Sequence, residues 1–189
     1  MRRWIAANAI ALALAAGAAA GGDGAPPGSI EFTAQNTFST AHGKFAKWRI
    51  VRAEIDPAQP RAGVVEVEVD VASIDTGIER RDKHLRTADF FDVEKFPTAH
   101  VRVHDAEELA ATQRGSSRYR AKFDLDIHGV KKTLDGEFEV TTDAPPTVEG
   151  DLTLNRMDFR IGDPYTWYIP GSIVEEVPVH FRATLPASR

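Results

Sequence analysis

The sequence predicts an all-β domain of about eight strands, built as a closed antiparallel barrel or as a sandwich. Two observations predict it. Apolar and polar residues alternate with a period of two in one segment after another, which is the signature of strands with one dry face and one wet face. Turn signals such as "DPAQPRAG", "HGVKK" and "TDAPP" separate the segments. A barrel would remove the exposed edges. With eight strands its interior is just wide enough to be filled by side chains or to hold one slender ligand.

Each element has its own justification. Ile30, Phe32, Ala34 and Phe38 form the first candidate strand, and the stretch from Phe45 to Ile55 the second. "VVEVEVDV" alternates without a miss, with Val65, Val67, Val69 and Val71 on the dry face and Glu66, Glu68 and Asp70 on the wet one. His100 to Asp105 gives a short strand. "RYRAKFDLDIHG" then turns Tyr119, Ala121, Phe123, Leu125 and Ile127 inward and Arg120, Lys122, Asp124 and Asp126 outward. Leu134, Phe138 and Val140, then Val148, Leu152 and Leu154, then Val177, Val179, Phe181 and Ala183 complete the set. One stretch departs from period two. Thr76-x-x-Glu79 matches a capping box and "ERRDKHLR" follows with good helix formers, so a short helix is expected over residues 77–88. The adjacent Phe90-Phe91 pair after it must reach something apolar, and in a barrel that is the mouth.

The chain has 189 residues, the length of one domain. Its first residues read as a secretory signal peptide over 1–20. Arg2-Arg3 is the positive region, Trp4 to Ala16 is Ala/Leu/Ile-rich, and Ala18-Ala19-Ala20 fits cleavage near Ala20. The apolar run is too short for a comfortable membrane span, the alternative reading. Residues 21–28, "GGDGAPPG", form a flexible lead-in, leaving 29–189 as the barrel domain. The absence of cysteine excludes a lipidated anchor, disulfides and thiolate metal sites. Removing Arg2 and Arg3, two positive charges, takes the formal charge from −5 to −7, so the mature chain has no long-range attraction for nucleic acid.

Catalytic patterns are missing: no G-x-S-x-G, no glycine-rich phosphate loop, no H-E-x-x-H. His100 and His104 share a strand face about 13 Å apart and lack a third ligand, so no metal site is expected. The aromatic residues carry the other signal. Phe32, Phe38, Phe123, Phe138 and Phe181 have inward parity, and "GDPYTWYIPG" adds Tyr165, Trp167 and Tyr168. Singly these read as core and loop packing. Together they fit an apolar tunnel with an aromatic rim.

Four segments resemble the YceI-like family. "ASIDTGIERRDKHLRTADFFDVEKFPTAHV" is similar to its small-Ser-Ile-x-Thr-Gly, Arg-Asp-x-His-Leu, Phe-Phe-Asp and Phe-Pro run, and "HGKF" to its Gly-x-Phe turn. "DLDIHGVKKTL" resembles its Leu-x-Ile-x-Gly-Val-x-Lys segment, and "LNRMDFRIG" its Arg-x-Asp-Phe-Gly segment. In order, the four span nearly all of residues 28–185. The resemblance implies an eight-stranded lipocalin-like antiparallel barrel, export to the periplasm, and a long isoprenoid chain inside the barrel, as a polyisoprenoid or an isoprenoid quinone. No other cofactor and no catalytic residue is implied. The expected tunnel lining combines inward-parity Phe32, Phe38, Val67, Val69, Phe123, Leu125 and Phe138 with Trp167 and with His84, Leu85, Phe90, Phe91, Arg156 and Phe159 by motif position. The chain departs from the family twice: Asn36 or Thr37 stands where a His is usual, and Arg160 where Gly is usual.

The function implied is a non-catalytic carrier or store of a long isoprenoid-type lipid. The rivals are an accessory or enzyme acting on a quinone-like isoprenoid, with His84 and Arg156 as its titratable groups, and a packed scaffold without ligand. Expected partners are the apolar lipid and, in a homodimer, a second copy. Neither nucleic acid nor stable membrane insertion is expected.

Overall fold

A computed structural model describes residues 25–55, 59–111, 115–141, 145–186 of the chain. The leader over 1–20 and the first part of the lead-in therefore lie outside the described residues. Ten strands form one antiparallel sheet. They are β1 (Gly28–Gln35), β2 (Thr40–Phe45), β3 (Trp48–Glu54), β4 (Val64–Asp70), β5 (Ile74–Asp75), β6 (Thr98–Ala111), β7 (Ser116–Ile127), β8 (Val130–Thr141), β9 (Thr147–Asn155) and β10 (Glu176–Thr184). Their order is β3-β4-β6-β7-β8-β9-β10-β1-β2-β5.

Ten strands replace the expected eight because two long strands bend. β2 runs into β3 through Ala46-Lys47 alone, and β4 runs into β5 through the 3₁₀ turn Val71–Ser73. The bends face each other. Ala46 N–H donates to the Ser73 carbonyl at 3.1 Å, Asp70 N–H to the Lys47 carbonyl at 3.0 Å, and Lys47 N–H to Ser73 Oγ at 2.9 Å. Below the bend β2 pairs with β1 and β5; above it β3 pairs with β4. Because β2 and β3 are one continuous piece of chain, the two ends of the sheet are joined covalently and the sheet curls into a barrel. Counted through the two bends the strands number eight, each beside its sequence neighbours, as the alternation counted them.

The bend has a sequence trace. Inward residues step by three at Phe45→Trp48 and again at Val71→Ile74, where a flat strand would step by two. The same slip in both partners keeps both apolar faces inward. Elsewhere the alternation is kept, with Ala121, Phe123 and Leu125 buried and Arg120 and Lys122 exposed. The outer face is laced with ion pairs, among them Arg118 and Arg120 on Glu137, both at 2.9 Å. Hydrogen bonds from Arg120 and Arg118 hold the Glu137 carboxyl below its ordinary pKa. The β7–β8 hairpin closes on two residues, His128 and Gly129, with φ +53° and +72°, the primed turn that matches strand twist.

The helix α1 is shorter than the expected 77–88 and spans Glu79–Leu85. The capping box does not form. The residue before the helix is Ile78, which gives no side-chain cap, and Glu79 pairs instead with Lys83 at 2.7 Å. Thr76 is taken by other partners: its hydroxyl donates to the buried Asp82 carboxylate and accepts from Arg81 Nε at 2.7 Å. After the helix, residues 86–97 run as consecutive turns. Arg86 ties them to the bend by donating to the carbonyls of Ala72 and Ile74 at 2.7 and 2.8 Å.

Candidate functional site

Inside the barrel lies a cavity of about 280 Å³. It begins among Leu85, Phe90, Phe91, Phe159 and Ile161 at the helix end and reaches Val148, Ala183 and Leu185 toward the other. Strand parity builds its walls: Val65, Val67 and Val69 from β4, Phe123 and Leu125 from β7, Val177, Val179 and Phe181 from β10. Glycine makes room at two inward positions. A Cβ on Gly136 would stand 2.7 Å from the Phe123 ring, and one on Gly150 would stand 2.6 Å from that of Phe181. The large rings occupy that space, edge-on or tilted to one another, with Phe123 5.9 Å from Phe181 and 6.2 Å from Phe138.

The turns after α1 explain how two adjacent phenylalanines reach one space. In a strand they would point to opposite faces. Here Phe90 N–H bonds to the Thr87 carbonyl and Phe91 N–H to that of Leu85, and Asp92 turns the chain at φ +44°. Both rings then border the cavity. Phe91 meets Phe45 edge-on at 6.1 Å, and Phe90 packs beside Gly162. Phe96 goes elsewhere and meets His128 edge-on, 4.6 Å away, outside the cavity. His128 Nδ1 is 3.0 Å from the Phe159 carbonyl, so this pair pins the β7–β8 turn to the loop after β9.

Eleven of the expected lining residues border the cavity: Phe32, Val67, Val69, Leu85, Phe90, Phe91, Phe123, Leu125, Phe138, Arg156 and Phe159. Three do not. Phe38 is 77% exposed, because β1 ends at Gln35 and Asn36 Oδ1 accepts from Phe38 N–H, Ser39 N–H and Ser39 Oγ, turning the chain before the alternation can continue. Trp167 is 74% exposed at the tip of a turn closed by Ile169 N–H on the Thr166 carbonyl. His84 lies on the wet side of α1, 3.5 Å from Asp89, and covers the Phe90 ring from outside at 5.0 Å. The expected list lacks Phe45, Trp48 and Ile173, all of which line the cavity. The slipped alternation at residues 45–48 was the available signal for the first two.

Arg156 borders the cavity but offers it nothing. Its guanidinium donates to the carbonyls of Ile161 at 2.7 Å, Asp163 at 2.6 Å, Ile173 at 2.6 Å and Val174 at 3.2 Å, and to Met157 Sδ at 3.2 Å. All five N–H groups of the fork are thereby engaged. Burial draws its pKa below the ordinary arginine value, against the opposing pull of Glu175 and Asp163. Arg156 is thus a clamp on the 160–174 loop. Arg160 is exposed at φ +57°, the left-handed conformation that suits Gly, and points away from the cavity. Among the described residues the Nε1 of Trp48 is buried without a partner and presents no surface to the cavity. The wall a ligand would meet is hydrocarbon.

The chain is similar to known proteins in sequence and in fold. The family model described as a YceI-like domain matches residues 26–185. A UPF0312 protein of Pseudomonas savastanoi is 33% identical over 134 residues, 67% of each chain. A UPF0312 protein of Vibrio cholerae is 34% identical over 107 residues, 56% of this chain and 53% of that one, so the chain spans about half the length of that relative. Two solved structures share the fold. Burkholderia cenocepacia BcnA has a TM-score of 0.70 at 22% identity, over 82% of this chain and 94% of its own. A polyisoprenoid binding domain from Saccharophagus degradans has a TM-score of 0.61 at 18% identity, over 84% and 94%.

Proposed function

The chain belongs to the YceI-like family, and from that premise we propose that it is an exported, non-catalytic protein that holds a long isoprenoid-type chain in its barrel. One observation carries this reading: the cavity wall is apolar from end to end, and of the two arginines that border it, Arg156 has every donor committed to the protein and Arg182 is exposed on the outer face beside Glu149, 3.9 Å away. Such a wall recognises a chain rather than a headgroup. Each CH₂ transferred from water contributes about 0.8 kcal/mol, so a long chain can be retained without polar anchors. The fold neighbour described as a polyisoprenoid binding domain supports the same ligand class.

The enzymatic rival needs a titratable group at the ligand. Neither of its candidates serves: His84 lies outside the cavity and Arg156 is fully engaged. Export to the periplasm rests on the leader read in residues 1–20. The deciding experiment is mass spectrometry of an organic extract of natively purified protein, with N-terminal sequencing of the same sample. The expected result is an isoprenoid chain and a first residue near Gly21. An empty extract from protein purified without detergent would overturn the lipid-holding reading in favour of a packed scaffold. A quinone in the extract would instead revive the accessory reading.

A further inference from the structure

At the helix end of the barrel, the β1–β2 turn and the loop between β9 and β10 make a surface unlike the rest. Residues 33–43 and 164–174 are two runs of eleven without a single Asp, Glu, Lys or Arg, where the chain's 27% charged content would place about six. Large apolar side chains stand out from them: Phe38 at 77% exposure, Trp167 at 74%, Tyr168 at 69%, Ile169 at 49% and Tyr165 at 37%. Single exposed apolar residues are ordinary on a soluble domain; a group of this size on two adjoining loops marks an interaction surface.

The group is held in place by its supports. The two loops are joined by an Asn36–Ile173 bridge, by Val174 N–H on the Gln35 carbonyl at 2.8 Å, and by the Thr37 and Tyr165 hydroxyls at 3.5 Å. Asn36 fixes the turn under Phe38. Thr166 N–H on Ser172 Oγ at 2.7 Å, with the Arg156 clamp, fixes the loop under Trp167. Energy is therefore invested in presenting these side chains to the outside.

Trp and Tyr beside aliphatic residues, with no cation, is the composition found at the water–bilayer boundary, where amphipathic rings sit at headgroup level. The two runs hold no Lys or Arg to pair with an anionic surface; Asp163, Glu175 and Glu176 flank the second run and would repel one, while Lys44, which flanks the first, lies 3.9 Å from Asp75. Protein interfaces are enriched in the same aromatic residues and carry a polar rim, but they are also enriched in Arg, which these two runs lack. We propose that this rim docks the protein onto a neutral, zwitterionic bilayer surface, with Phe38, Trp167 and Tyr168 leading. Ala34 and Ile173, at the base of the same two runs, line the cavity, so docking would set that end of the barrel against the membrane. The rim alone carries this inference; the cargo of the cavity bears only on its purpose.

The test uses the full chain and phosphatidylcholine vesicles. Sedimentation gives the bound fraction, and spin-labelled phosphatidylcholine gives quenching of Trp167 fluorescence, taken as the difference between wild type and Trp167→Leu. Wild type should bind equally at low and high salt, and its Trp167 signal should be quenched. Phe38→Ser/Trp167→Ser should weaken partitioning about tenfold or more, while Ile55→Ser, an exposed apolar residue at the other end of the barrel, should not. The inference is overturned if wild type does not bind, if the double variant binds as wild type does, or if binding requires anionic lipid. It is also overturned if the rim instead drives self-association that the double variant abolishes. Extracts of the same preparations separate the two readings, since cargo can be present in protein that ignores vesicles and absent from protein that binds them.

Discussion

Arg156 shows how far a residue's role can lie from its residue type. An arginine bordering a cavity suggests a headgroup contact, yet its guanidinium is spent on four carbonyls of one loop. Replacing it should therefore affect the loop more than the cargo. Arg156→Met leaves those carbonyls short of donors and should cost about 3 kcal/mol in urea melts. Arg156→Lys keeps the charge but not the fork and should recover less than half of that. Limited proteolysis should cut within residues 164–174 of Arg156→Met sooner than in wild type. If stability is unchanged and only lipid retention falls, the clamp assignment is wrong. Exposure of Phe38 and Trp167 has the same origin: backbone hydrogen bonds accepted by Asn36 Oδ1 and Ser172 Oγ, which no count of apolar residues anticipates.

At the scale of the element, strand parity was legible because one face is wet and the other dry. β4 tests it with two neighbours. Val67→Asp would put an unpaired charge on the cavity wall and should cost at least about 3 kcal/mol. Glu68→Lys would lose an ion pair with Arg49, 2.6 Å long and largely exposed on the arginine side, and should cost under about 1 kcal/mol. Equal shifts in paired urea melts would refute the parity. The helix was less legible. Thr76-x-x-Glu79 has the residues of a capping box, but Thr76 is drawn to Arg81 and Asp82, five and six residues on, partners that the four-residue pattern does not count.

At the scale of the whole molecule, the barrel leaves a cavity where a filled core would be stronger without cargo. Phe90 and Phe91 lie at its helix end, half-buried against Phe45 and Gly162. The double variant Phe90→Ala/Phe91→Ala should cost the lipid-free protein less than the roughly 3–5 kcal/mol typical of a single fully packed Phe. Its gain in stability on lipid loading should be smaller than that of wild type, because cargo that binds only the folded state adds stability through its affinity. A pair of melts, with and without lipid, measures both. Full packing loss with an unchanged loading gain would make the two rings ordinary core. The sequence by itself determined the all-β class, the eight alternating segments, which of their valines and phenylalanines face inward, Phe38 excepted, and the resemblance that led to the family. These are properties of period, composition and order along the chain. Only the tertiary structure decided where β2 becomes β3 to close the sheet, that Phe90 and Phe91 share one space, that Arg156 is a clamp, and that Phe38 and Trp167 stand outside. Each of those depends on contacts between segments distant in sequence or on the exact turn a few hydrogen bonds select, and a one-dimensional pattern carries neither.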